Sequence, residues 1–378
     1  MLVNHLKMMK DSCWQISDTL GPEKIVYINN SAVDLRAIVV VDNTSVGPSI
    51  GGVRMAADVT VDECARLARA MTLKNAAAGL PHGGGKAVIA ADPKIDPAHK
   101  ERLIRTFAAA IRELADYIPG PDMGTNETAM AWIRDEIGRS VGLPAEVGGI
   151  PLDEIGATGY GLSVSIRAAE KYCEVPIASA RVAVQGFGSV GHHAARFLVD
   201  LGATLVAAAD SSGTIINPDG LDVAALTEHK QQSGTVCGFA HGETGSVDAV
   251  LDVECDIWIP AARPDVVHID NVDRLRTRLV AEGANIPITE EAEEQLAAQG
   301  VTVIPDFIAN AGGVICAAVE YHGGSKSTAL STIAEKINRN TIDVFEYAKA
   351  QSITTRQAAN EIAEQRVRKA MSYSRFSH

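Results

Sequence analysis

The stretch RVAVQGFGSVGHHAARFLVDLGATLVAAAD, residues 181–210, decides the fold. RVAVQ is a short apolar run, GFGSVG interrupts it, His192 to Val199 suits a helix, and ATLVAAAD returns to a strand pattern. Strand, glycine-rich turn, helix and strand in this order form a βαβ unit. The unit predicts an α/β chain with a Rossmann-type, doubly wound dinucleotide-binding domain. Gly186, Gly188 and Gly191 fit G-x-G-x-x-G, with Phe187, Ser189 and Val190 between them. The first glycine permits the tight turn, the second lets backbone approach a pyrophosphate, and the third lets the helix pack closely. The helix N-terminus adds a partial positive charge for the anion. By itself the glycine pattern also fits a turn in an α/β fold that binds no nucleotide. Asp210 ends the second strand, where a carboxylate can accept from an adenine ribose 2′-hydroxyl and would repel a 2′-phosphate. That favours NAD, while Ser211 and Ser212 could hold a phosphate and leave NADP open.

At 378 residues the chain exceeds the usual size of one hydrophobic core, so two domains are expected. Upstream, KIVYINN (24–30) and LRAIVVVDN (35–43) predict neighbouring strands, Val61 to Leu80 a helix, and GKAVIAAD (85–92) a buried strand. Pro97 to Tyr117 and Glu127 to Gly138 predict two more helices. The glycine-rich GGIPLDEIGATGYG (148–161) separates the two regimes and suggests a hinge, followed by an amphipathic helix to Lys171. The boundaries expected are 1–150 for an N-terminal α/β substrate and oligomerisation domain and 151–325 for the dinucleotide domain. Helices in 326–378 are expected to pack back on the N-terminal domain.

A hydrophobic share of 46% and a charged share of 21% are those of an ordinary globular protein. A net charge of −13 with no basic block opposes nucleic acid as a partner. The start lacks a signal-peptide core and no apolar run is long enough to span a bilayer, so the expectation is no membrane and a cytoplasmic home. Six scattered cysteines, at 13, 64, 173, 237, 255 and 316, form no CxxC and have no histidine at metal-ligand spacing. Free buried thiols and no metal follow.

MTLKNAAAGLPHGGGKAVI (71–89) sets Lys74 among apolar residues and Lys86 straight after three glycines. An ammonium with apolar neighbours is disfavoured, which suits such a lysine to proton transfer near neutrality. The plainer readings are a Lys74 that snorkels to solvent and a Lys86 in an ordinary loop.

GPSIGGVRM (47–55), MTLK, LPHGGGKAVI, GPDMGTN (120–126), ATGYG (157–161), GFGSVG, EGAN (282–285) and PDFIANAGGV (305–314) follow one another in order. In these segments, from about residue 30 to 320, the chain resembles the glutamate, leucine, phenylalanine and valine dehydrogenase family. The resemblance implies reversible oxidative deamination: hydride leaves the α-carbon for the nicotinamide, and water then converts the iminium to a 2-oxo acid and ammonia. On matching positions it implies that Lys74 binds the α-carboxylate, Lys86 activates water and Asp122 shuttles protons at the amino group. Gly51 and Gly52 would bring backbone to the substrate carboxylate. Asn285 and Asn310 would bond substrate or nicotinamide ribose, and Thr158 the carboxamide. Ala261 lies in the adenine-side stretch PAARPDVV (260–267), where Arg263 replaces the family's usual apolar residue and could meet a 2′-phosphate. Family members are commonly homo-oligomers.

Glutamate-specific members carry a lysine where Ile50 stands and a serine where Ala317 stands, both aimed at the side-chain carboxylate. A carboxylate left in an apolar pocket costs several kcal/mol. With Gly120 and Val314 completing an apolar wall, the expected substrate has an apolar side chain, as in the leucine, phenylalanine and valine branch. The alternatives are a glutamate dehydrogenase that recruits its carboxylate partner elsewhere and a non-catalytic dinucleotide-binding protein.

Overall fold

The computed structural model describes residues 16–373. The chain divides into two compact units, one of residues 1–151, 317–326 and 363–378, the other of 152–316 and 327–362.

The first unit contains β1 (Lys24–Asn30), β2 (Leu35–Asn43), β3 (Ser49–Ala56), α1 (Val61–Ala77), β4 (Gly83–Ala90), α2 (Pro97–Ala110), β5 (Tyr117–Pro121) and α3 (Glu127–Ile137). Its sheet has the order β1-β2-β4-β3-β5. The pairs β1/β2 and β2/β4 are antiparallel, whereas β3 runs parallel to both β4 and β5. Successive side chains of a strand point to opposite faces. Val39, Val41, Ala87 and Ile89 accordingly pack with Phe107 of α2 and Met130 of α3, while Val40 and Val88 pack with Cys64 and Ala68 of α1. Burial on both faces is why LRAIVVVDN is a nearly continuous apolar run.

Two elements depart from the sequence reading. The helix expected over Pro97 to Tyr117 ends at Ala110, and Tyr117–Pro121 is an edge strand beside β3. The Arg139 guanidinium holds the intervening turn by donating to the carbonyls of Ile111, Leu114 and Tyr117. An edge position tolerates Pro119 and Pro121, which cannot donate to a ladder.

The second unit is built on α4 (Ala157–Cys173), β6 (Arg181–Gln185), α5 (Ser189–Asp200), β7 (Thr204–Ala209), β8 (Thr214–Ile216), α6 (Val223–Ser233) and β9 (Glu243–Gly245). It continues with β10 (Ile257–Pro260), β11 (Leu279–Ala281), α7 (Glu290–Ala298), β12 (Thr302–Ile304) and α8 (Asp306–Ala309). The sheet order is β12-β11-β10-β6-β7-β8-β9, parallel from β12 to β7, with β8 and β9 added antiparallel at the edge. From β6 the chain proceeds to β7 on one side and returns to β10 on the other. A doubly wound sheet binds its ligand at such a switch point, beyond the strands' carboxyl ends. The glycine loop follows β6 directly.

Three helices finish the chain: α9 (Gly312–Tyr321), α10 (Lys326–Gln351) and α11 (Thr355–Met371). The expectation that 326–378 packs wholly on the N-terminal domain is corrected. Residues 327–362 belong to the second unit and only 363–378 to the first. Phe345 of α10 stacks on Tyr172 of α4 at 4.9 Å between ring centroids, an apolar contact that holds α10 to the dinucleotide unit. Past residue 362, Arg366 donates to the carbonyls of Ala76 and Ala77 at the end of α1.

Among the described residues no helix is long and apolar enough to cross a membrane. The five described cysteines are thiols and not disulfides; Cys64, Cys255 and Cys316 are buried as expected, Cys173 and Cys237 are only partly so, and Cys13 lies outside the described residues.

Candidate active site

In the first unit β3, β4 and β5 run side by side and carry most of the expected substrate residues. Their register sets Ile50 beside Ile118, Gly51 beside Pro119 and Gly52 beside Gly120. Lys86 of β4 is buried, and its Nζ lies 2.6 Å from Oδ2 of Asp122, the residue just past β5. The same Oδ2 accepts from Arg54 Nε at 3.0 Å. Burial alone would raise the Asp122 pKa, but the Lys86 ammonium, then the Met123 backbone N–H and then the Arg54 guanidinium hold it below the usual carboxylate value.

The glycines are required by this packing. A Cβ on Gly51 would stand 1.6 Å from the Gly85 carbonyl oxygen, and one on Gly52 would stand 2.7 Å from Asp122 Cβ. A Cβ on Gly84 would stand 2.0 Å from the Thr72 nitrogen, so the GGG run lets α1 lie directly on β4. Lys74 occupies the last turn of that helix and is half-buried. Ile50, Ile118 and Val141 form a buried apolar cluster with Ala317 packed against it. A Cβ on Gly120 would meet Val141 at 3.2 Å, so Gly120 borders the same cluster.

The second unit carries the residues expected to hold a dinucleotide. Gly186 has φ +97°, in the left-handed region, and its N–H and that of Phe187 both donate to the Ala209 carbonyl. A Cβ on Gly188 would meet nothing within 4 Å, whereas one on Gly191 would stand 2.0 Å from the Gly186 oxygen. These are the three glycine roles of a phosphate-binding turn: tight bend, open approach and close helix packing. Gly188 caps α5 without a side-chain hydrogen bond, leaving the first helical N–H groups of Ser189 and Val190 to an anion. A cavity of about 590 Å³ opens beside the loop, with Gly186, Gly188, Asp210, Lys230, Ala261 and Arg263 in its wall. The residues fit a dinucleotide.

Asp210 is more heavily engaged than its sequence suggests. Oδ1 accepts from the Ser212 N–H and the Thr235 hydroxyl, and Oδ2 accepts from the Val236 N–H with Lys230 Nζ at 3.1 Å. Elsewhere in this unit Asn310 donates to the Ala284 carbonyl and to Asn285 Oδ1, each at 3.2 Å. Thr158 opens α4, with its hydroxyl 3.2 Å from where a Cβ of Gly313 would stand. Val314 lies on the first turn of α9, in this unit, whereas Ile50, Gly120 and Ala317 belong to the first.

Sequence reasoning passed over Arg54, although GPSIGGVRM contains it. It also passed over Arg356, which pairs with Glu282, Asp306 and Glu293. The acidic partners stand in EGAN and PDFIAN, but nothing local points to an arginine some 50 residues further along.

A glycine loop at a switch point defines a dinucleotide binder and no more. With a buried lysine–aspartate pair on a second α/β sheet, the class becomes an amino-acid dehydrogenase, an oxidoreductase that acts on CH–NH2 donors with a nicotinamide dinucleotide. The chain belongs to the glutamate, leucine, phenylalanine and valine dehydrogenase family, whose dimerisation-domain model matches residues 24–139 and whose main model matches residues 148–375. It is 39% identical over 353 residues to a glutamate dehydrogenase of Aeropyrum pernix, covering 87% of this chain and 84% of the relative. It is 36% identical over 350 residues to an NADP-specific glutamate dehydrogenase of Saccharolobus shibatae, covering 87% and 82%. Among solved structures, a hetero-hexameric glutamate dehydrogenase of Thermus thermophilus in a leucine-bound form superposes with TM-score 0.83 at 28% identity, covering 98% of this chain and 95% of that one. These names do not place the chain in the leucine, phenylalanine and valine branch.

Proposed function

We propose that the chain catalyses reversible oxidative deamination of an L-amino acid with an apolar side chain, giving the 2-oxo acid and ammonia. The observation that carries the choice of side chain is the buried cluster of Ile50, Ile118, Val141 and Ala317. A substrate carboxylate placed there would lose its hydration without gaining a cation, at several kcal/mol. A second reading, glutamate as substrate, has the names of the relatives behind it, and by name they favour it over the first.

In this reading Lys74 takes the α-carboxylate, with the backbone of Gly51 and Gly52 alongside. Asp122 removes and returns protons at the amino group. Lys86, hydrogen-bonded to Asp122, activates the water that attacks the iminium carbon. Val314 adds to the apolar side-chain contacts. The loop from Gly186 to Gly191 holds the pyrophosphate, Ala261 flanks the adenine side, and Thr158, Asn285 and Asn310 orient the nicotinamide end. When bound, the dinucleotide supplies the hydride acceptor. A homo-oligomer assembled through the first unit is part of the same proposal.

The deciding experiment is a panel of amino acids assayed with NAD and with NADP by absorbance of the reduced nicotinamide. Turnover of leucine, valine or phenylalanine well above glutamate is expected. Glutamate above all of these replaces the first reading by the second. On the first reading, Ile50→Lys should raise glutamate turnover from a low base, because it brings an ammonium to the pocket wall.

A further inference from the structure

Arg54 leaves β3 one position beyond the Val53↔Pro121 pair, and Asp122 leaves the end of β5 one position beyond the same pair. Their side chains therefore meet across neighbouring strands. Arg54 Nε reaches Asp122 Oδ2 at 3.0 Å, and its NH1 is bound to Glu63 in the first turn of α1. Glu63 is itself fixed, because its N–H is capped by the Thr60 hydroxyl. The guanidinium side chain is 20% exposed, so it is held within the fold and not splayed into solvent. Lys86 Nζ approaches the same Oδ2 at 2.6 Å.

We infer that Arg54 is a positioning residue for the deamination chemistry: anchored by Glu63, it shares Asp122 Oδ2 with Lys86 and so fixes the plane of the carboxylate that exchanges protons with the substrate's amino group. A carboxylate oxygen has about two acceptor positions, and a guanidinium and an ammonium fill both on Oδ2. Proton exchange with substrate is thereby committed to Oδ1. Without Arg54 the carboxylate can swivel about the Lys86 contact, and Lys86 can follow it away from the water it activates. The charged and titratable groups around Asp122 are Lys86 from β4, Arg54 from β3, Glu63 from α1 behind Arg54, and the Tyr117 hydroxyl of β5, which donates to the Gly51 carbonyl. Arg54 and Lys86 are the two cations among them, so loss of Arg54 shifts Asp122 toward its protonated form.

The inference rests on the proposed deamination and is tested with the amino acid that performs best in the panel. Arg54→Gln and Arg54→Lys are compared with the unmodified enzyme for kcat, KM and the pH profile of kcat/KM, with thermal melting of the full chain as a check on folding. Arg54→Gln is expected to lose about tenfold or more in kcat with a smaller change in KM. Its acid limb should move up by about one pH unit, as for a carboxylate that loses an arginine neighbour. Arg54→Lys should restore the limb but only part of the rate, since a point charge replaces a planar fork. A folded Arg54→Gln enzyme with an unmoved acid limb overturns the inference, whether or not its rate falls. If Arg54→Gln does not fold, Arg54→Lys decides: reduced kcat with the limb retained supports the inference, and unchanged kcat overturns it. No turnover of any amino acid by the unmodified enzyme sinks the proposed function instead.

Discussion

At the residue scale the decisive contact is Lys86 with Asp122. Both side chains are largely removed from water, so each needs the other: a buried charge without a partner is costly, and a paired one is held in one geometry. Lys86→Ala should retain binding of reduced dinucleotide, measured by fluorescence, yet lose about a thousandfold or more in turnover. Full activity in that variant would remove Lys86 from the mechanism. Lys86 was legible from its setting straight after three glycines, whereas Asp122 came only from the resemblance that GPDMGTN helps to carry. Arg54 was not legible, because its role depends on which strand lies beside β3, and nothing in the sequence marks 117–121 as a strand. Asp210 shows the opposite failure: its position was foreseen, but not that two backbone N–H groups, a hydroxyl and Lys230 already occupy its oxygens.

At the element scale the glycine loop separates folding from binding. Gly188→Ala adds a Cβ into open space, whereas Gly191→Ala drives one into the Gly186 carbonyl, 2.0 Å away. Thermal unfolding of the two variants should therefore differ, with Gly188→Ala near wild type and Gly191→Ala lower by about 1–3 kcal/mol. Gly188→Ala should still weaken dinucleotide binding, since its methyl occupies the space that the pyrophosphate needs. Equal melting of the two would undo this division of roles. Arg356 performs a different task at the same scale, tying Glu282 at the start of EGAN to Asp306 at the start of PDFIAN. It thereby sets the two loops whose Asn285 and Asn310 bond one another. Burial pushes the Glu282 carboxyl up to about 8, even with Arg356 opposing it. The folded state therefore holds a proton that the unfolded chain has released, from the ordinary glutamate range up to about pH 8. The stabilising contribution is complete below that range and declines as pH rises through it. Glu282→Gln should flatten the fall of Tm between about pH 5 and pH 8 in melts of the full chain. An unchanged slope would place the proton elsewhere.

At the scale of the whole molecule, order along the chain was easier to foresee than the division into units. The βαβ pattern of 181–210 and the strands at 24–43 are local signals of period and punctuation, and they survive in the structure. The C-terminal helices carry no such mark, since an amphipathic helix records that it packs but not against what. The chain leaves the first unit at residue 151, re-enters it at 317–326, and enters it again at 363–378. Within α11 this means that one helix serves two cores. Arg356 binds the carboxylates of the second unit, and nearly three turns on Arg366 caps the carbonyl end of α1. A cation there donates to the last carbonyls of the helix and is favoured by the negative end of its dipole. Because Lys74 sits in that last turn of α1, the C-terminus is coupled to the expected α-carboxylate contact. A chain ending at Ile362 loses this cap together with the buried Ala363 and Val367. It should bind reduced dinucleotide with little change, yet show a lower first melting transition and a raised KM for the amino acid. Arg366→Ala should give a milder version, about 1–3 kcal/mol from the lost charged hydrogen bonds. Truncation that left both melting and KM unchanged would mean that α1 holds Lys74 without help from the C-terminal helix.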